Sequence, residues 1–244
     1  MLNAILHAKS GRHGEAEART PWRETFRDSE DFITATLFER LSYLSGPTAM
    51  SILAEATRRD AGGDGAKLFG WRMAEITEIA FWPLWEDPLP EAWRKEPDVF
   101  LTLRVGDPQQ VIHLIVEAKR GGAPQLQEQW CNQLRCYNDL RHEDASPDLV
   151  GYLAIGGHVP DPTAYRGAGL KQRPDTLFAI AGWEDMARGV AQALDTSAPA
   201  EARILKDMQE ALTLFGYLHV KFEDTLKHMA EVDARAVTSF GAWT

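Results

Sequence analysis

The sequence predicts an α/β fold. Several short apolar runs rich in β-branched residues have the length and composition of buried strands. Amphipathic stretches, in which apolar residues recur at intervals of three and four, precede, separate and follow these runs as helices would. The chain has 244 residues, of which 44% are hydrophobic and 25% charged, and this is ample material for a buried core.

The first predicted helix follows a polar arm, residues 1–28, that we expect to be irregular. Either Asp28 or Ser29 can cap this helix, and the Gly46-Pro47 pair ends it. Helical spacing places Glu30 on the same side as an apolar stripe, where a carboxylate needs a partner. The stripe consists of Ile33, Leu37, Leu41 and Leu44.

A second helical stretch, residues 47–59, and a glycine-rich connector lead to three predicted strands at 75–82, 99–103 and 111–116. The last two form a hairpin because Gly106-Asp107-Pro108 between them has turn chemistry.

The hairpin brings charged residues together at one end of the sheet. Asp98 opens the first of its strands and Glu117 closes the second, so the two carboxylates lie near one another. Side chains alternate along a strand, so Glu117 and Lys119 point the same way. Two carboxylates with a backbone carbonyl and water suit Mg²⁺ or Mn²⁺. A nearby lysine can orient or deprotonate an attacking water, or offset charge on a phosphate.

Pro97-Asp98, then eighteen residues, then Glu117-Ala118-Lys119 resembles the active-site pattern of the PD-(D/E)XK nuclease superfamily. The resemblance covers roughly residues 29–182. It implies a restriction-endonuclease-like α-β-β-β-α-β core, with a mixed central sheet flanked by helices. It also implies Mg²⁺ as the cofactor, with Mn²⁺ able to substitute, and nucleic acid as the substrate, DNA favoured over RNA.

The resemblance further implies the site residues. Asp98, Glu117 and a helix acid hold the metal, and Lys119 positions the water. Glu30 is our choice for the helix acid, with Glu39 as the alternative. The helix predicted after the Gly-Gly-Ala-Pro turn carries a Gln-x-x-x-Tyr pattern found in several branches of the superfamily. The resemblance therefore implies that Gln133 is a further catalytic-site residue and that Tyr137 supports it.

The remaining elements continue the α/β pattern. Residues 149–155 and 176–181 are apolar runs typical of strands covered on both faces, and we expect a loop between them. A helix follows at 183–194. A long amphipathic helix, residues 200–236, then covers the edge of the core, or binds a second copy of the chain or a partner protein. The predicted organisation is an arm (1–28), a nuclease-like core (29–195) and a C-terminal helical extension (196–244).

These patterns favour a metal-dependent nuclease of a bacterial defence or DNA-processing system. The alternative is a catalytically inactive module of the same fold that binds nucleic acid or scaffolds a complex. A third possibility is an unrelated hydrolase or a protein-interaction domain in which both motifs are accidental. The hydrolase is disfavoured because the sequence has no G-x-S-x-G, H-E-x-x-H or phosphate-binding loop.

Composition sets two further expectations. A net charge of −10 argues against coating of nucleic acid by electrostatics alone, so we expect weak intrinsic affinity for DNA or a partner that supplies it. No stretch approaches the roughly 18 apolar residues that span a bilayer, and we expect a cytoplasmic protein without a membrane partner.

Overall fold

A computed structural model describes residues 12–13, 20–85, 96–140 and 147–217, with residues 12, 13, 20 and 140 as backbone alone. The helices are α1 (Trp22–Asp28), α2 (Glu30–Leu41), α3 (Gly46–Thr57), α4 (Gly65–Phe69), α5 (Gln127–Leu140), α6 (Pro162–Gln172), α7 (Trp183–Thr196) and α8 (Pro199–Leu214). The strands are β1 (Arg12–His13), β2 (Thr20–Pro21), β3 (Ala74–Phe81), β4 (Val99–Val105), β5 (Gln110–Ala118), β6 (Leu149–Ile155) and β7 (Thr176–Ala181).

The main sheet has five strands in the order β3-β4-β5-β6-β7. The first three are antiparallel neighbours, whereas β5, β6 and β7 run parallel. The predicted α/β class with a mixed sheet flanked by helices is therefore confirmed. Strands β6 and β7 begin and end at the predicted residues, because uninterrupted apolar runs bounded by polar turns have few alternative structures.

Alternation along β5 divides the core between the two faces of the sheet. Ile112, Leu114, Val116 and Ala118 pack in the larger cluster, with apolar residues of α2, α3, α7 and α8. Ile115 packs in the second cluster, together with Trp130 and Leu134 of α5. Glu117 shares the face of Ile115, and its carboxylate contacts Gln133 of α5.

The predicted irregular arm is wrong over Trp22–Asp28, which is helix α1. Its buried residue, Phe26, stacks against Phe32 and Phe215 with ring centroids 4.7 and 5.3 Å apart. The helix is stabilised by these contacts, and the one with Phe215 comes from a distant part of the chain, so its own seven residues gave little indication of it.

The predicted loop between β6 and β7 is also wrong, because it contains helix α6. Asp161 caps this helix by accepting a hydrogen bond from the Ala164 backbone N–H at 3.0 Å, and Pro162 occupies its first turn. Both are recognised helix-start signals. Pro162 therefore marks the start of a helix.

The predicted continuous helix from 200 to 236 ends at Leu214. Gly216 has a φ of 91°, and the Tyr217 N–H donates to the Leu212 carbonyl, which closes the helix in the manner of a glycine cap. Residues 218–236 of the predicted helix lie outside the described residues. Buried residues of α8, including Leu205 and Met208, pack in the larger core cluster.

A short loop between α3 and α4 lies along the outer edge of β7. The carboxylate of Asp60 accepts a hydrogen bond from the Ile180 N–H at 2.8 Å and also pairs with Arg166. Asp64 accepts from the Phe178 N–H at 3.1 Å, and its own N–H donates to the Phe178 carbonyl at 2.7 Å. The loop thus satisfies backbone groups that an edge strand otherwise leaves open.

Within the described ranges, every helix is too short or too polar to cross a lipid bilayer.

Candidate functional site

The candidate site lies where β4 begins and β5 ends. Val99 pairs with Val116 in the antiparallel hairpin, which places Asp98 across from Glu117. One carboxylate oxygen of Asp98 (Oδ2) accepts a hydrogen bond from the Ala118 backbone N–H at 2.7 Å. The two carboxylates are therefore neighbours because of the strand register alone.

Glu117 is fully buried and both of its carboxylate oxygens are engaged. Oε1 accepts a hydrogen bond from the Lys119 ammonium at 2.5 Å, and Oε2 accepts one from the Gln133 amide at 2.7 Å. Burial raises the pKa of Glu117, although Lys119 and Gln133 both favour its ionised form. A carboxylate in this position is costly unless cationic partners remain beside it.

Lys119 is the cationic centre of the cluster. Its Nζ donates to Glu117, to Glu30 Oε1 at 3.3 Å and to the Ala118 carbonyl at 2.9 Å. Burial alone would lower the pKa of Lys119, but the negative charges of Glu117, Glu30 and Asp98 outweigh it and raise that pKa. The side chain is thus a protonated donor. It suits orientation of a water or an anion rather than proton abstraction.

Glu30 reaches the site from the first residue of α2. Ser29 caps this helix by accepting a hydrogen bond from the Phe32 N–H at 3.3 Å. Besides its contact with Lys119, the Glu30 carboxylate accepts a hydrogen bond from the Arg120 backbone N–H at 2.8 Å. Helix α2 is therefore joined to the segment that follows β5.

The alternative helix acid, Glu39, has different partners. It accepts a hydrogen bond from the Tyr43 hydroxyl at 3.0 Å and lies 3.6 Å from the Arg40 guanidinium. Of the two candidate acids, Glu30 is the one that contacts Lys119.

Asp98 has the most perturbed environment of the cluster. Burial, and then the negative charge of Glu117, raise the pKa of Asp98 to about 7. The Ala118 N–H and the Lys119 ammonium oppose this rise but do not cancel it. Asp98 is partly buried and Glu117 fully buried, and the charge of Glu117 disfavours the ionisation of Asp98, so an added cation beside them would be stabilised.

The donor set fits a hydrated Mg²⁺ ion rather than a closed cage. Across the described ranges, no three His, Cys, Asp or Glu side chains are arranged to hold a metal. Asp98 and Glu117 supply two carboxylates, and the Ala118 carbonyl, which contacts Lys119 Nζ, lies on the same side. Mg²⁺ commonly retains several waters and binds through one or two carboxylates. Glu30 contacts Lys119 and does not form a three-carboxylate metal site with Asp98 and Glu117.

This set is surrounded by buried polar residues that no sequence pattern predicted. The Tyr152 hydroxyl donates to Gln133 Oε1 at 2.6 Å. Gln125 is fully buried, and its amide donates to the Gly156 carbonyl at 3.2 Å. The Trp183 indole donates to the Lys119 carbonyl at 2.9 Å. No sequence motif indicated these contacts, because each joins residues from different elements.

Two tryptophans near the site differ in exposure. Trp85 is buried and meets Phe100 edge to face at 5.8 Å, so it packs the core. Trp82 is 37% exposed and has a φ of 47°, and its N–H donates to the Asp98 carbonyl at 3.1 Å.

A comparison with known proteins found a relative over nearly the whole chain. An uncharacterized protein of Pasteurella multocida (strain Pm70) is 30% identical to this chain in an alignment 245 positions long, which covers 93% of this chain and 85% of the relative. The chain belongs to the family of that protein. No model of a known protein family matches the chain. No solved structure matches it either. The name of the relative states no activity, so the function is inferred from the site.

Proposed function

We propose that this protein is a Mg²⁺-dependent nuclease that hydrolyses phosphodiester bonds in nucleic acid, with DNA as the preferred substrate and Mn²⁺ able to replace Mg²⁺. The observation that carries the proposal is a cluster of five polar side chains at one end of the sheet, of which four are joined by hydrogen bonds and the fifth, Asp98, is held beside them by the Ala118 N–H. Those side chains belong to Asp98, Glu117, Lys119, Glu30 and Gln133.

The proposal includes a restriction-endonuclease-like core. Helix α2, strands β3, β4 and β5, helix α5 and strand β6 follow one another in the order that such a core requires. Helices α3 and α4 are additions between α2 and β3. The two proposed metal ligands lie on the central hairpin of this series, at the end that α2 approaches.

Asp98 and Glu117 would hold the ion, with the Ala118 carbonyl on the same side. A bound Mg²⁺ supplies positive charge at the phosphate and lowers the pKa of a coordinated water. The protonated Lys119 orients the attacking water and offsets negative charge on the phosphate. Glu30 holds Lys119 in position, and Gln133 holds Glu117.

The decisive experiment is cleavage of supercoiled plasmid, linear duplex DNA, single-stranded DNA and RNA at low salt, with Mg²⁺, with Mn²⁺ or with chelator. Three variants remove single functions: Asp98→Asn, Glu117→Gln and Lys119→Met. Asp175→Asn and Lys171→Met make the same chemical changes at exposed positions and serve as controls. We expect metal-dependent cutting that falls about a hundredfold or more in the three site variants and is unchanged in the controls.

Cutting at equal rates in wild type and all site variants would identify a contaminant and contradict the proposal. Metal binding without cleavage of any substrate would favour the inactive module of the same fold that binds nucleic acid or scaffolds a complex. Calorimetry with MgCl₂ or MnCl₂ on the same proteins separates these outcomes.

A further inference from the structure

Gln133 lies between the candidate site and the second core cluster. Its side chain is 1% exposed and both ends of its amide are engaged. The NH₂ group donates to Glu117 Oε2 at 2.7 Å, and the carbonyl accepts from the Tyr152 hydroxyl at 2.6 Å. Tyr152 is fully buried in the middle of β6 and packs its ring against Trp130 and Phe178.

A primary amide presents a donor at one end and an acceptor at the other, so its neighbours decide which end faces which. The Glu117 carboxylate accepts hydrogen bonds and cannot donate when ionised. Burial raises the pKa of Tyr152 well above its ordinary value, so the phenol retains its proton and can donate. Only one orientation of the Gln133 amide satisfies both neighbours.

We propose that Tyr152 is a positioning residue for Glu117, and that it acts by fixing the amide of Gln133 through the hydrogen bond from its hydroxyl. Glu117 Oε2 then remains bonded to a locked amide. The other oxygen, Oε1, is bonded to the Lys119 ammonium, and it is the oxygen that would exchange this partner for the ion. The catalytic consequence rests on the proposed function, whereas the positioning itself is a property of the metal-free chain.

Loss of the Tyr152 hydroxyl would leave the Gln133 carbonyl buried without a donor, which is costly. The amide could then turn and direct its oxygen at the Glu117 carboxylate, where two acceptors repel. In either case Glu117 loses the fixed geometry that ion binding requires. Partners that orient metal ligands typically change metal affinity or activity about ten- to a hundredfold when they are removed.

The first test is Tyr152→Phe, which keeps the ring and removes only the hydroxyl. We expect MgCl₂ and MnCl₂ titrations by calorimetry to show about tenfold weaker binding, with kcat lowered to a similar degree and KM for DNA unchanged. Tyr165→Phe is the matched control, because its hydroxyl donates to a main-chain carbonyl, that of Gln125, at 2.8 Å. Unchanged metal affinity in Tyr152→Phe would overturn the inference.

The second test asks whether Tyr152 acts through Gln133. If it does, the double variant Tyr152→Phe/Gln133→Leu should bind the metal no more weakly than Gln133→Leu alone. Independent, additive losses would mean that Tyr152 supports the site by another route and would overturn the inference.

A third measurement uses metal-free wild-type protein and needs neither cleavage nor a variant. By NMR, the Tyr152 hydroxyl proton should exchange slowly with water, and the Gln133 side-chain amide should give one sharp pair of signals. Rapid exchange of that hydroxyl would overturn the inference even if Tyr152→Phe did not fold. Slow exchange and weaker metal binding in Tyr152→Phe, without cleavage by wild type, would support the inference while the proposed function failed.

Discussion

Asp98 shows how a single carboxylate can make the stability of the fold depend on pH. Burial and the charge of Glu117 raise the pKa of Asp98 from 3.8 to about 7, so the folded protein holds this proton more tightly than the unfolded chain. Between about pH 4 and pH 7 the folded state therefore binds more protons, and the Asp98 contribution to stability falls as pH rises.

We expect Asp98→Asn to remove this fall. In metal-free protein the variant should match wild type near pH 4 and exceed it by up to about 4 kcal/mol at pH 8, the free-energy equivalent of a pKa shift from 3.8 to about 7. For a chain of this length that corresponds to a rise in Tm of up to roughly 8–16 °C. Thermal melts in chelator across this pH range measure it, with Asp175→Asn as the control. A wild type that gains stability relative to Asp98→Asn from pH 4 to pH 8 would contradict the electrostatic account.

Gly156 shows how closely the backbone approaches the site. Its φ is 69°, and an added Cβ would lie 2.1 Å from the Lys119 carbonyl oxygen and 2.3 Å from the Trp183 indole nitrogen. Gly156→Ala should therefore cost about 3 kcal/mol in the free energy of unfolding.

Urea denaturation measures this cost. Gly122→Ala is the control, because a Cβ there meets nothing within 4 Å and the residue has no positive φ. A loss in Gly156→Ala no larger than that in Gly122→Ala would show that the backbone is not constrained at Gly156.

At the scale of the element, helix α6 depends on a cap that its own sequence contains. Asp161→Ala removes the acceptor of the Ala164 N–H and should cost about 1 kcal/mol in the free energy of unfolding. Chemical denaturation of Asp161→Ala beside Asp175→Ala, an exposed aspartate outside any helix, measures the difference. Equal stabilities of the two variants would mean that the cap contributes nothing.

Local signals explain which elements the sequence predicted. The hairpin β4–β5 and strands β6 and β7 follow from apolar runs and turn residues within each segment. The place of Asp98 beside Glu117 follows from that hairpin register. Helix α1 could not be predicted in this way, because its burial depends on Phe215, near the opposite end of the described chain.

The site also combines contacts that local sequence determines with contacts between distant segments. Glu117 and Lys119 are two residues apart on one strand, so their contact is a local property. The Tyr152–Gln133 contact depends on the parallel pairing of β6 with β5 and on the packing of α5 over both. Patterns of residues within one segment carry no information about such a contact. The sequence therefore predicts Gln133 as a site residue but not Tyr152 as its hydrogen-bond donor.

At the scale of the whole molecule, α8 belongs to the larger core cluster. Leu212 is 1% exposed and packs in the same cluster as residues of α2 and β5. We expect Leu212→Ala to cost about 3 kcal/mol in the free energy of unfolding, against almost nothing for its exposed neighbour in Thr213→Ala.

Tryptophan fluorescence and circular dichroism should report one shared unfolding transition in wild type and in Leu212→Ala. Separate transitions for the two signals, or a loss in Leu212→Ala below about 1 kcal/mol, would indicate that α8 is only loosely attached.

The loop at Asp60 and Asp64 also bears on how copies of this protein can meet. Its carboxylates already occupy the two backbone N–H groups, of Phe178 and Ile180, that a foreign strand would need in order to extend the sheet past β7. While the loop stays in place, the outer edge of β7 is therefore protected from strand exchange and edge-to-edge aggregation. A swapped or fibrous assembly growing from β7 would first have to displace Asp60 from Arg166, and separating this largely buried ion pair is costly.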